Sequence, residues 1–142
     1  MGDLQRGFNH WSFIVNVNLN VRIWTLCPGC VSHGLPQATR IHETFSREDV
    51  VVLGLHSVFE HHDAQGPTSL KAFLYEYRIP FPVGVDAPGE RDGLSVTMAR
   101  YAMQGTPTLV LIGRNGHHRA QHFGHVPDLR LGAEIMTLIA EA

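Results

Sequence analysis

Cysteine is almost missing from this chain. Its 142 residues contain two, and they stand together as Cys27-Pro28-Gly29-Cys30. With no third thiol, neither a disulfide framework nor a four-cysteine zinc cluster is open to it. Lysine is scarcer still: Lys71 is the only one, against ten arginines, and the net charge is −2. A balance so near neutral leaves no basic footprint for nucleic acid or for an anionic membrane. No apolar run approaches the ~20 residues that a membrane-spanning helix requires. The opening residues, Met1 to Phe8, lack the charged and apolar regions of a secretory signal, and Arg6 stands where a myristoylation motif wants Ser or Thr. Internal repeats and low-complexity stretches are absent too. What remains is one domain over residues 1–142, long enough for a single core. It is expected in the cytoplasm, with its thiols reduced at rest; a periplasmic protein trimmed of its signal would read the same way.

The cysteine pair has a physical logic of its own. Its spacing matches one helical turn, so a helix beginning at Pro28 holds Cys27 at its mouth and Cys30 one turn in. The first N–H groups of a helix have no internal partner and carry the positive end of the macrodipole, and both stabilise a negative sulfur. Proline suits the first helical position, where its missing N–H costs nothing. In such motifs the first thiol ionises below the free-cysteine range, attacks a disulfide, and is released when the second thiol closes the ring. Cys27 is therefore the expected nucleophile and Cys30 the resolving thiol. The competing reading is half of a zinc site, completed by histidines such as His33. An inert structural disulfide constrains so small a loop too little to matter.

The remainder alternates strand and helix signals. Residues from Asn9 to Trp24 alternate apolar and polar, as one strand or as two broken near Asn18-Leu19-Asn20. A helix is predicted from Pro28 to about Ser46, with Val31, Leu35, Ala38, Ile41, His42 and Phe45 inward and a kink at Pro36. Val50 to Leu55 is an unbroken apolar run, suited to a parallel strand covered on both faces. A loop from His56 to Gly66 precedes a helix from Pro67 to Tyr77. A short strand follows over Phe81 to Asp86, then a helix over Val96 to Met103. The strand Thr108 to Ile112 is joined by an Asn115-Gly116 turn to a return strand, His117 to Phe123. A last helix starts at Pro127 and Asp128, with Leu131, Ile135, Leu138 and Ile139 inward. The alternation implies an α/β domain with a mixed central sheet and helices on both faces.

Two segments together carry a resemblance. One is a strand ending in Trp24-Thr25-Leu26, followed by Cys-Pro-Gly-Cys and a helix containing Pro36. The other is Gly105-Thr106-Pro107-Thr108-Leu109-Val110-Leu111-Ile112, followed by Arg114-Asn115-Gly116. In this combination, over most of the chain from Trp11 to Ile139, it resembles the TlpA-like thiol–disulfide oxidoreductases of the thioredoxin superfamily. The resemblance implies a thioredoxin-like three-layer sandwich. It also implies a cis bond between Thr106 and Pro107 beside the cysteine pair, and a backbone at Thr106 that pairs with an extended substrate. The partner would be a protein disulfide or another redox protein, and no cofactor is needed. The chain departs from the family pattern in three places. Leu26 replaces an aromatic residue before the first cysteine, Pro36 lies one residue further from Cys30 than is usual, and Asn20-Val21-Arg22-Ile23 holds no acid where thioredoxin has a buried carboxylate.

That gap directs attention to Gly54-Leu55-His56-Ser57-Val58-Phe59-Glu60-His61-His62-Asp63. Functional groups in doubly wound sheets gather beyond the carboxyl ends of strands. Glu60 is a candidate proton relay, and His56 a candidate to stabilise the thiolate or shuttle its proton. A divalent-metal cluster of Glu60, His61, His62 and Asp63, or a merely solvated loop, are the alternatives. His117, His118, His122 and His125, on or after the hairpin, are read as surface residues, since alternate positions on an edge strand usually point at solvent, with a metal patch as the alternative. The functions that compete with an oxidoreductase are a peroxiredoxin-like thiol peroxidase, a non-enzymatic zinc or metal module built on Cys27, Cys30 and histidines, and an adaptor in which the pair is only a switch. A peroxidase wants a hydroxyl where Trp24 stands, with Thr25 out of register.

Overall fold

The computed structural model describes residues 17–23, 25–58, 61–89 and 95–141. The elements run β1 (Val17–Ile23), a π-helical turn (Cys30–Gly34) opening α1 (Leu35–Thr44), β2 (Val50–His56), α2 (Pro67–Glu76), β3 (Val83–Val85), α3 (Val96–Arg100), β4 (Thr108–Ile112), β5 (His118–Phe123) and α4 (Asp128–Ala140). The strand signal expected over residues 9–16 lies outside the described residues, as do Trp24 and Glu60.

The strands form one sheet in the order β3-β2-β1-β4-β5. β1 runs parallel to β2 and antiparallel to β4, β2 runs parallel to β3, and β4 and β5 are antiparallel. The hairpin between β4 and β5 turns at Asn115-Gly116, where Gly116 adopts φ 82°, a backbone conformation that favours glycine. β1 is thus central, and the segment that leaves its end carries Cys27.

Alternation along the strands builds the core. Val17, Leu19 and Val21 of β1 pack with Val50 and Val52 of β2 and with Leu109 and Leu111 of β4. Leu35, Ala38 and Ile41 of α1 and Leu131, Ile135 and Leu138 of α4 close over this face, and both cysteines belong to the same cluster. The opposite face is partly polar inside. Asn18, Arg22 and Thr108 are buried there, and Asp86, beyond β3, accepts hydrogen bonds from Ser57 at 2.9 Å and from the hydroxyl of Thr97 in α3. Helices therefore lie on both faces of a mixed sheet, as expected.

Several details correct the sequence reading. β2 is not covered evenly: Val50, Val52 and His56 are buried, while Val51, Leu53 and Leu55 are only half-buried. The strand at Phe81–Asp86 shortens to Val83–Val85, and the helix at Val96–Met103 to Val96–Arg100. The kink expected at Pro36 takes a different form. The turn ahead of it is widened, with the N–H of Leu35 donating to the carbonyl of Cys30, and Pro36 falls in the first turn of α1. Inside a continuous α-helix the Pro36 ring would crowd the carbonyl four residues back, and widening the turn ahead of it eases that conflict. A π turn holds one residue more than an α turn, so it absorbs the extra residue between Cys30 and Pro36. His122, read as a surface residue, instead contacts Glu134 of α4 at 2.6 Å.

Candidate active site

Cys27 lies between the end of β1 and the π turn. The N–H of Cys30 points back at its sulfur at 3.2 Å, and the carbonyl of Cys27 accepts the N–H groups of Cys30 and Val31 at 3.1 and 3.2 Å. A helix-start amide aimed at sulfur is the arrangement that favours negative charge there. In the protonated form the thiol donates to the carbonyl oxygen of Thr106 at 3.5 Å. The two sulfurs are not joined by a disulfide. Cys27 keeps 6% of its surface exposed and Cys30 none, so only Cys27 is reachable from outside.

The Thr106–Pro107 peptide bond is cis, and it faces the cysteine turn. The contact depends on two glycines. A Cβ on Gly29 would come within 3.2 Å of Pro107 Cδ, and one on Gly34 within 2.8 Å of Pro107 Cβ. On its other side Pro107 gives its carbonyl to the N–H of Gly124 at 2.9 Å, and Gly124 has φ 80°. The rim is apolar: Leu26 is 52% exposed and Phe123, packed near Gly105, is 55% exposed.

Of the sequence-predicted residues, Cys27, Cys30, Thr106 and Pro107 meet at one place. His56 occupies the end of β2, opposite Ile23 in register, with 1% of its surface exposed. Burial pushes its imidazole pKa below the usual value, against a hydrogen bond with the Gln65 side chain that raises it. Among the described residues its Nε2 has no hydrogen-bond partner, so it bonds neither sulfur by that atom. The Thr25 hydroxyl also donates to Gln65, at 3.0 Å, which engages the hydroxyl nearest the peroxidase position. Glu60 lies outside the described residues. Among the described residues no three of His, Cys, Asp and Glu gather as a metal-binding group, so the His61-His62-Asp63 segment and the cysteine pair form no such set.

Sequence reading missed Gly34 and Gly124, the seats of Pro107, and Asp86. Asp86 enters from the end of β3 on the sheet face opposite the cysteines, where Ser57 and Thr97 donate to it and its charge acts on Arg22. Burial lowers the pKa of Arg22, while the charge of Asp86 and then Tyr101 oppose that shift. The Arg22 guanidinium also lies over the Tyr101 ring, 5.6 Å from its centre. No local pattern marks Asp86 for this buried position, because its partners come from three other segments.

No family profile and no curated protein matches the chain. Solved structures do. A thioredoxin-like superfamily protein shares 55% identity over 92% of this chain and 84% of its own, with a TM-score of 0.89. A thiol-disulfide isomerase from Corynebacterium glutamicum shares 44% identity over 92% of this chain and 85% of its own, with a TM-score of 0.90. The exposed lipoprotein thioredoxin of Streptococcus pneumoniae, at 20% identity over 89% of this chain and 87% of its own, shares the fold with a TM-score of 0.71. No helix among the described residues is long and apolar enough to cross a membrane. On the strength of the two nearer likenesses, which agree with the TlpA-like features of its sequence, the chain belongs to the thioredoxin-like superfamily, among its thiol–disulfide oxidoreductases.

Proposed function

We propose that the chain exchanges disulfides with a protein or small-thiol substrate through a mixed disulfide on Cys27. The Cys27 thiolate attacks one sulfur of a substrate disulfide, and the other leaves as a thiolate that takes up a proton. Cys30 then loses its proton and attacks Cys27 Sγ, releasing the second substrate thiol. The substrate gains two electrons and two protons, and Cys27 and Cys30 end as a disulfide. The reverse sequence oxidises a dithiol. The observation that carries this reading is the Cys30 N–H at 3.2 Å from Cys27 Sγ, on the one sulfur with surface exposure.

Thr106 is the proposed docking edge. Its carbonyl already lies beside Cys27, and an extended substrate would add to its backbone as a strand, with Pro107 packed behind. His56 and Glu60 are the proposed proton handlers; for His56 the support is burial at the end of β2 and a pKa below the usual value. The reading takes residues 1–142 as one domain and the cytoplasm as the compartment, where the pair rests as a dithiol.

Redox equilibration in glutathione buffers, read by alkylation and mass spectrometry, tests the pair. A single two-electron transition confined to Cys27 and Cys30 is expected. In Cys30→Ser, glutathione or a substrate protein should stay trapped on Cys27. A variant that traps nothing, with a wild-type pair that never forms a disulfide, would sink the mechanism.

A further inference from the structure

His33 and His125 come from distant parts of the chain and meet beside the cysteine turn. Their ring centres are 5.0 Å apart and the planes are inclined by 50°. Both residues are exposed. His33 belongs to the π turn that begins at Cys30, and His125 follows Gly124, whose N–H holds the Pro107 carbonyl.

The two elements that present them are fastened together. The Gln37 amide of α1 donates to the Val126 carbonyl at 2.6 Å and to Asp128 Oδ1 at 2.9 Å. Arg40 donates to both carboxylate oxygens of Asp128, at 2.9 and 3.0 Å. The imidazoles are thus carried on a stitched seam, and little ordering cost remains for a ligand that bridges them.

We propose that His33 and His125 form a two-histidine site for a borderline divalent transition ion such as Ni2+ or Zn2+. A metal–imidazole bond of about 2.1 Å puts each ring centre about 3 Å from the ion, so two imidazoles at a tetrahedral angle lie with centres about 5 Å apart. Imidazole donors without thiolate or carboxylate suit Zn2+, Ni2+ and Cu2+ rather than Mg2+ or Ca2+. Water fills the remaining positions. The bound ion ties the π turn to the β5–α4 connection at the lip of the candidate active site. Binding itself does not depend on the redox reading.

The test uses the full chain as the Cys27→Ser/Cys30→Ser variant, without a histidine tag, so that thiols contribute nothing. Ni2+ is titrated by calorimetry, and the thermal midpoint is followed in parallel, since an ion held by the folded state raises it. One ion per chain is expected. His33→Ala and His125→Ala should each weaken it by about tenfold or more, while His117→Ala/His118→Ala leaves it unchanged. Either single variant binding as the parent does, or a parent still unsaturated at about 1 mM Ni2+, overturns the proposal.

Discussion

Gly34 is a residue at which two opposing effects have comparable size. It is helical, with φ −62° and ψ −52°, so alanine there would gain about 1 kcal/mol from helix propensity. The added Cβ, however, would lie 2.8 Å from Pro107 Cβ, a rigid ring atom fixed on its far side by Gly124. Overpacking of that kind costs about 1–3 kcal/mol. We expect Gly34→Ala to unfold at lower urea than the parent, and to exchange disulfides more slowly because Pro107 is pushed from its place beside Cys27. A raised urea midpoint with unchanged exchange would mean that the contact is soft. Cys27 and Cys30 stood out in the sequence by motif and spacing, and Thr106 and Pro107 through the resemblance. Gly34 did not, since its role is set by what packs against it.

At the scale of the element, α4 provides the opposite case. Gly132 lies in the middle of Asp128–Ala140, and a Cβ there would meet nothing within 4 Å. With no clash to offset propensity, Gly132→Ala should stabilise by about 1 kcal/mol, a rise of about 3 °C in thermal midpoint. Strand and helix order was readable because the periodicities of two and 3.6 are local properties of the chain. The widened turn before Pro36 was not, because choosing between a kink and a π turn depends on where Cys30 and Pro107 must end up. Asp86 shows the same limit. Its partners Ser57 and Thr97 lie in separate segments, and only the folded sheet brings them together.

The whole molecule shows its buried chemistry in its response to acid. An unfolded histidine takes up a proton near its usual value of about 6.5, whereas burial holds His56 neutral to lower pH. Between those two values the unfolded state binds the additional proton. This contribution is therefore complete above about pH 6.5 and is lost as pH falls toward the folded value. The thermal midpoint should drop on going from about pH 7.5 to about pH 5.5, and His56→Gln should drop less. Equal slopes would show that His56 is not held neutral by the fold. Its position at the end of the central parallel pair was legible in sequence; its hydrogen bond to Gln65, across the loop, was not.

The amide of Cys30 donates to a sulfur as well as to the Cys27 carbonyl. Divalent sulfur in a disulfide is a poorer acceptor than a thiolate, so closing the ring should loosen the sulfur side of that bond. Deuterium would then replace the Cys30 amide hydrogen faster in the oxidised protein than in the reduced one, and its nitrogen-15 resonance would move between the two. One backbone signal would thus follow the oxidation state in solution without any label attached to either cysteine.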